Sequence, residues 1–445
     1  MEHRMWRVVI FLFVSIGSSA LCLAQGASTA PGAGLASGSS GGAAITIQVP
    51  IFLEPTSGQL APLRPAAPSS LTPLNITTES LGEREGLLPL WTFDIKGSRD
   101  GNHHSGAIVG RSPFHEDAGT SRVPTLIVPL IIRTHRVATA IDPNTLVMTT
   151  AAGDTTVDPT VPDNVCLGAP NNVPITLVQQ SPLFVPAHFV FGATDVGTTQ
   201  YLDALQRASF WKALGERAAQ YHVVLDLVRT TEPILIDVPS DEGLAIVDPQ
   251  FFSAIFRRPT CMPLQLVNYQ WFDAYMTGTV IPTLAREGLD PSSLPIFVAY
   301  ETGWPAGDVT NLFNCCVGGY HGATGIPVPT QTFAVAEFDR TGLFRAEDTA
   351  ILSHEVGEWG NDPLVRNSTA PWGHTGQVAG CQANLEVGDP LSGTFLPAVT
   401  MPNGFAYHLQ ELAFYSWFFG APSVGANGWY SNNGTFLTDA GPPCF

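Results

Sequence analysis

The apolar and polar positions along the chain follow two different patterns that meet near residue 186. Between residues 45 and 185, short apolar or alternating runs are separated by Pro, Gly, Asn and Asp, which is typical of β-strands joined by turns. These runs cover residues 45–52, 90–95, 125–132 and 146–150. The pattern predicts a β-rich module over residues 45–185.

Beyond residue 186 the pattern changes to helices interleaved with strands. Apolar residues recur at helical spacing over 198–221 and 264–275, and they alternate or run together, as in strands, over 223–227, 294–300 and 332–338. A long loop is predicted over 311–325. Helices that alternate with strands are typical of layered α/β domains, so we expect one over residues 186–445. The predicted fold class is α+β or α/β, with the β-rich module first.

The most informative stretch is residues 346–363, which predict a helix capped by Asp348 or a neighbour. Within it, His354 and Glu358 are four residues apart, so both side chains lie on one face and can bind the same ion. Glu355 is the next residue round the helix and would border that ion without binding it. The sequence therefore predicts a metal-binding helix.

The arrangement of His354, Glu355 and Glu358 resembles the HExxH helix of the zincin metallopeptidases, with Glu in place of the second His. The resemblance implies a zincin-like α/β domain in which His354 and Glu358 bind zinc or another divalent metal. It also implies hydrolysis of a peptide or protein substrate by a metal-activated water, with Glu355 as general base. In zincins the helix follows a sheet whose edge strand binds the peptide, and residues 332–338 stand in that place.

The two branches of the zincin class complete the metal site differently. The gluzincin branch implies Glu386, in a downstream Leu-Glu-Val-Gly-Asp run, as the third ligand, with Asp389 as the partner of an imidazole nitrogen. The metzincin branch requires a Gly and then a His or Asp at positions where the chain has Asn361 and Leu364. We therefore expect Glu386 to join the two ligands of the helix.

Other residues stay open as ligands or catalytic groups. Asp362, His374 and His321 are alternative third ligands. The resemblance further implies a downstream His or Tyr that stabilises the oxyanion, and His408, with Tyr407 beside it, is the candidate catalytic residue. Two carboxylates and one imidazole form a hard ligand set, so manganese, iron and calcium are alternatives to zinc.

A second hypothesis is a non-enzymatic extracellular protein that binds cell-wall polymer or a surface partner, with a structural HExxE helix. Seven of its nine Trp follow residue 200 and would form platforms on which sugar rings stack. Glycoside hydrolysis is a third hypothesis because acidic residues abound. No two of them, however, stand at a separation that defines such a site.

Composition excludes some classes of partner. The chain has 445 residues, 44% of them hydrophobic, a net charge of −18, and only two lysines, Lys96 and Lys212. A chain without a basic stripe cannot neutralise a row of phosphates. Nucleic acids and anionic membranes are therefore not expected as partners.

The N-terminus predicts export. Residues 1–24 place basic residues before a short apolar run and small residues, as in a cleaved signal peptide, and residues 25–44 form a linker of Gly, Ala and Ser. No later segment is long and apolar enough to span a membrane, so a periplasmic or extracellular location is predicted. Disulfides are common there, and a bridge from Cys381 to Cys315 or Cys316 would hold the downstream ligand near the helix.

Overall fold

The computed structural model describes residues 76–80, 87–116, 119–163, 166–167, 172–252, 263–325, 330–340, 347–438 and 444. The predicted signal peptide, the linker and the predicted strand over 45–52 lie outside these residues. The protein is a mixed α+β, strand-rich fold, with 21% helix, 40% strand and a sheet curled into a half-barrel. The α+β fold class predicted from the sequence is confirmed at this level.

The strands occupy most of the regular structure in the described residues. In chain order they are β1 (Ile76–Ser80), β2 (Leu90–Lys96), β3 (His103–Val109), β4 (Thr120–Ile141), β5 (Met148–Val157), β6 (Ala187–Phe191), β7 (Thr194–Thr199), β8 (His222–Thr230), β9 (Ile234–Asp237), β10 (Gly243–Ile246), β11 (Leu264–Val267), β12 (Leu294–Tyr300), β13 (Thr302–Gly303), β14 (Gly319–Thr324), β15 (Gln331–Phe338), β16 (Ser368–Thr375), β17 (Val378–Asn384), β18 (Val399–Thr400) and β19 (Ala406–Tyr407).

The helices are short by comparison. The α-helices cover Pro174–Gln179, Tyr201–Ser209, Trp211–Leu214, Tyr269–Tyr275, Ile281–Arg286, Ala350–Asn361 and Tyr415–Phe418. A π-helical turn over Met276–Val280 joins two of them, and 3₁₀ turns cover Gly215–Ala219, Leu312–Asn314, Asp389–Leu391 and Ala426–Gly428. The helix Ala350–Asn361, which we call the site helix, confirms the helix predicted within residues 346–363.

A ten-stranded sheet is organised around β4. The first half of β4 pairs in parallel with β8 on one side and with β12 on the other. β12 pairs in parallel with β15, and β14 completes this end of the sheet as an antiparallel edge. The second half of β4 pairs with β5, β9 and β10, and the order continues to β11 and β13. The sheet therefore takes strands from both sides of residue 185, where the sequence predicted a domain boundary.

The central strands are buried on both faces. In β12, Ile296 and Val298 face the core that contains the site helix, whereas Phe297 faces a second core on the other side of the sheet. All seven residues of β12 are buried. A strand that is covered on both faces reads as a continuous apolar run, which is the pattern that predicted it.

Two sequence predictions were wrong in this part of the chain. The helix predicted over 264–275 is a strand, β11, followed by the helix Tyr269–Tyr275. The break falls at Asn268, whose side-chain oxygen accepts hydrogen bonds from the backbone N–H groups of Gln270 and Trp271. An asparagine in that role starts a helix, so the residues before it are free to pair with β10.

The edge of the sheet also differs from the prediction. Residues 332–338 form β15 as predicted, but β15 lies between β12 and β14 and is not an edge strand. The edge is β14, which lies in the stretch predicted as a loop. Glycine is depleted in strands, and it is needed here for close approach: a Cβ on Gly319 would lie 2.9 Å from Cγ of Glu355. The missing side chain lets the site helix pack directly on the strand.

Candidate metal centre

The site helix is buried along its whole length. It packs on β14 and β15 on one side and on the helix Tyr201–Ser209 on the other. Gly360 makes the second contact possible, since a Cβ there would lie 2.5 Å from Leu202, and Gly357 lets the downstream chain approach, since a Cβ there would lie 2.2 Å from Leu412. The helix therefore holds its polar residues inside the protein, between the sheet and the downstream chain.

The segment after β17 packs against the site helix and binds one of its side chains through backbone N–H groups. The backbone N–H groups of Gly388 and Asp389 donate to Oε1 of Glu358, with distances of 3.0 and 3.2 Å. A Cβ on Gly388 would lie 2.6 Å from Nδ1 of His354, so only glycine lets the backbone cross this imidazole ring so closely. The same segment carries Glu386 into the site.

Buried polar side chains of five residues, from three parts of the chain, converge beside the helix. Nε2 of His354 lies 3.1 Å from Oε2 of Glu358. Nδ1 of His321, on β14, lies 3.5 Å from Oε2 of Glu355 and 3.7 Å from Oε2 of Glu358. Oε2 of Glu386 lies 3.8 Å from Nε2 of His321. We call these five residues the α-site cluster, and each is 2% exposed or less.

The inward atoms of the cluster have no hydrogen-bond partner. These atoms are Nδ1 of His321, Nε2 of His354 and the Oε2 atoms of Glu355, Glu358 and Glu386. A buried polar atom without a partner costs about 1–3 kcal/mol, and more when it is charged. Such atoms, in two overlapping groups that share Glu358, are an arrangement that a bound cation would satisfy.

The cluster is strongly polarised. Burial raises the pKa of Glu355 and Glu386 well above the ordinary value, and the neighbouring charge of Glu358 adds to both shifts. Burial lowers the pKa of His354, but the charge of Glu358 and the close carboxylates of Asp389 and Glu358 outweigh it and raise that pKa well above 6.5. Burial and the charge of His354 lower the pKa of His321 to about 3. Without an added cation, protons are therefore drawn into the cluster.

Two aspartates flank the cluster, and the chain satisfies both. The carboxylate of Asp389 accepts from the side-chain amides of Gln377 and Gln382, and its Oδ1 lies 3.6 Å from Nε2 of His354. The carboxylate of Asp362 accepts backbone N–H bonds from the chain just after the helix, and burial raises its pKa to about 7. Asp389 thus lies beside His354, and Asp362 stabilises the turn that follows the helix.

The donor set fits a metal ion. The ligand atoms of His354, Glu355 and Glu358 lie within 4.8 Å of one another, and so do those of His321, Glu358 and Glu386. Glu358 belongs to both groups. His354 and Glu386 each share a group with Glu358, but the three predicted ligands do not form one group together. His321, an alternative in the sequence prediction, is grouped with Glu358 and Glu386.

Two other predicted residues lie elsewhere. Nδ1 of His408 lies 2.6 Å from Oδ2 of Asp348, near the start of the site helix, and no ion pair or hydrogen bond among the described residues joins it to the α-site cluster. His374 is exposed, and its Nε2 lies 3.9 Å from Sγ of Cys381. The role of His408 as a catalytic residue stays a prediction.

The cysteine pairing differs from the prediction. Cys381 lies at disulfide distance from Cys444, and Cys315 lies at disulfide distance from Cys316. Because each of these sulfurs already has a partner, the predicted bridge between Cys381 and Cys315 or Cys316 was wrong. The segment that carries Glu386 is held instead by the N–H groups that bind Glu358.

Two open cavities lie away from the cluster. One of about 600 Å³ is lined by residues between β8 and β9 and by the chain from Tyr275 to Glu287. The other, of about 510 Å³, is lined by β2, β3 and residues just after the site helix, including Arg366 and Asn367. Neither is lined by a residue of the α-site cluster, which is enclosed in this conformation.

No family profile, curated protein or solved structure matches the chain. None of the helices in the described part of the chain has the length and apolar character needed to cross a bilayer. Assignment of a function therefore depends on the chemistry of the α-site cluster.

Proposed function

We propose that the protein is a metal-dependent hydrolase that binds one divalent ion through His354, Glu358 and Glu386. One observation carries the proposal: the inward atoms of the α-site cluster are buried, close together and without hydrogen-bond partners. Zinc is the ion that the resemblance to zincins implies, and the mixture of imidazole and carboxylate is compatible with it.

Glu355 has the position of a general base. A bound divalent ion supplies two things, a water of lowered pKa and polarisation of a scissile carbonyl. Glu355 follows the ligand His354 on the helix, and its free Oε2 points into the cluster, so it borders the ion and can take a proton from that water.

The substrate that we propose is an extended peptide. β14 is the last strand of the sheet on this side, and it carries His321 of the cluster. An edge strand can bind an extended chain through its unpaired backbone groups, and Ala323 and Thr324 at its end are partly exposed. The peptide would then run beside the cluster.

Export belongs to the same proposal. Cysteine pairs at disulfide distance favour an oxidising compartment, and the chain has two such pairs among the described residues. A periplasmic or extracellular hydrolase is consistent with them.

The test compares metal content and hydrolysis in matched variants. Protein purified without chelator is expected to hold about one transition-metal ion per chain and to cleave a mixture of unstructured peptides, with products read by mass spectrometry. Glu355→Gln is expected to keep the ion and to lose about 10²–10⁴-fold in hydrolysis. Glu216→Gln, at an exposed position, is the control and should match the wild type. A wild-type protein without bound metal would disprove the proposal.

A second candidate is a non-enzymatic extracellular protein with a structural metal ion. Enclosure of the cluster favours it, because catalytic sites keep an open position for water and structural sites are closed. The proposed sugar platforms gain no support from the buried rings, since Trp304, Trp359, Trp372 and Trp417 are 1% exposed or less. This candidate predicts bound metal and metal-dependent stability, but no peptide cleavage in the wild type.

A further inference from the structure

His321 has a hydrogen-bond pattern that fixes its tautomer. Its Nε2 lies 3.2 Å from the backbone carbonyl oxygen of Asp362. A carbonyl oxygen only accepts, so Nε2 must carry the hydrogen of this bond. In a neutral imidazole the other nitrogen then has a bare lone pair. Nδ1 of His321 is therefore an acceptor, and it points into the α-site cluster.

The neighbours of this nitrogen are the carboxyl oxygens of two glutamates. Oε2 of Glu355 lies 3.5 Å away and Oε2 of Glu358 lies 3.7 Å away, and none of the three atoms has a hydrogen-bond partner. Lone pairs that face one another at 1% exposure repel, unless a cation or a proton lies between them. The arrangement therefore calls for a cation or a proton at this point.

Metal-bound histidines show the same arrangement. Such a histidine typically donates its second ring N–H to a backbone carbonyl or a carboxylate, which fixes the ring and the tautomer. His321 does so through Nε2 and the carbonyl of Asp362. That carbonyl belongs to the residue that follows the site helix, so the strand and the helix orient the ring together.

We propose that Nδ1 of His321 is a further ligand of the ion, in addition to His354, Glu358 and Glu386. This inference rests on the proposed metal site. A second imidazole shifts the ligand set toward nitrogen, so zinc or another late transition metal is favoured over calcium and magnesium. It also attaches the edge strand β14 to the site helix through the ion.

Two substitutions separate the two nitrogens of His321. In His321→Gln the amide nitrogen takes the place of Nε2 and can still donate its hydrogen bond to Asp362, but no atom replaces Nδ1 as a metal ligand. In His321→Asn an amide oxygen takes a place near Nδ1, while the bond to Asp362 is lost. His188→Gln, at an exposed histidine, is the matched control.

Zinc binding is measured by competition with a chromophoric chelator. His321→Gln is expected to weaken zinc binding by at least about tenfold, His321→Asn by less, and His188→Gln not at all. Zinc-edge X-ray absorption should count two imidazoles in the wild type and one in both His321 variants. Calcium and magnesium in excess should fail to displace zinc from the wild type.

The outcomes separate this inference from the proposed function. Unchanged zinc affinity and an unchanged imidazole count in His321→Gln would overturn the role of His321 and leave the metal site in place. A wild type that binds no zinc would overturn both. If His321→Gln does not fold, the imidazole count of His321→Asn decides, since the loss of one imidazole supports the inference and no loss overturns it.

Discussion

Two buried carboxylates on helices, Asp203 and Glu358, differ in how completely their oxygens are hydrogen-bonded. Asp203 is 0% exposed, and its Oδ1 accepts from the backbone N–H of Val223 at 2.7 Å. Its Oδ2 accepts from the hydroxyl of Thr199 at 2.5 Å and lies 2.9 Å from Nδ1 of His222. Glu358 is also 0% exposed, yet only its Oε1 receives hydrogen bonds, and its Oε2 has none.

The difference shows what helical spacing can and cannot reveal. Asp203 and Arg207 stand at i and i+4, as do His354 and Glu358. The two spacings are identical, but both carboxylate oxygens of Asp203 accept hydrogen bonds, whereas only Oε1 of Glu358 does and its Oε2 faces Nε2 of His354 and Nδ1 of His321. At Asp203 the chain satisfies the buried carboxylate with its own hydrogen-bond donors. At the second site Oε2 of Glu358 is left without a hydrogen-bond partner, and this is where we propose that a cation binds.

The largest effect is expected at the satisfied carboxylate. Asp203→Ala leaves the N–H of Val223, the hydroxyl of Thr199 and the partly buried His222 without their acceptor. We expect the free energy of unfolding to fall by about 3–5 kcal/mol, measured by chemical denaturation. The loss should be the same with and without chelator. A loss that depends on metal would show that Asp203 and Glu358 do not differ as described.

Removal of metal is expected to have the next largest effect. The ion binds the folded chain and not the unfolded one, so free ion at about a hundredfold above its Kd stabilises the fold by about 2.7 kcal/mol. A chelator should remove this contribution, as measured by the unfolding transition. The control is the same chelator already saturated with zinc, which should have no effect. An unchanged transition in free chelator would mean that the α-site cluster holds no ion.

Glu386→Gln is expected to stabilise the metal-free protein and to weaken the metal-loaded one. In metal-free protein it removes one carboxyl from a crowded, unsatisfied cluster, so the free energy of unfolding should rise by about 1 kcal/mol. The gain is small because burial already raises the pKa of Glu386 and keeps it partly protonated. In metal-loaded protein the same change removes a ligand and weakens binding. Calorimetric titration with zinc and denaturation in chelator measure the two effects, and Asp203→Asn, destabilising in both, is the comparison.

The smallest effect is expected from the histidine outside the cluster. The hydrogen bond to Asp348 raises the pKa of His408 above its unfolded value, and burial opposes the shift. The pair therefore stabilises the fold fully below about pH 6.5 and loses this contribution as the pH rises through the folded pKa. His408→Gln should cost less than about 1 kcal/mol at low pH, because the side chain is partly exposed, and nothing at high pH. Denaturation midpoints across that range test it, and a cost that grows with pH would contradict it.

Much of the strand pattern could be predicted from the sequence. β12 and β15 were confirmed because both are buried on two faces and read as apolar runs. The strand β14 was missed because it contains Gly319 and Gly322, and its pairing depends on a neighbour that only the fold supplies. The strand before Asn268 was missed because its apolar spacing also suits a helix, although the capping asparagine was visible in the sequence.

The sequence by itself determined that His354, Glu355 and Glu358 share one helix turn, because the spacing of side chains on a helix is set locally. The tertiary structure decided the rest. It brought His321 to the same point from an edge strand, and it placed Glu386 there on a segment that binds Glu358 through backbone N–H groups. Whether a buried acceptor finds a donor depends on residues distant in sequence, so only the folded chain shows which carboxylates are satisfied and which are left without a partner.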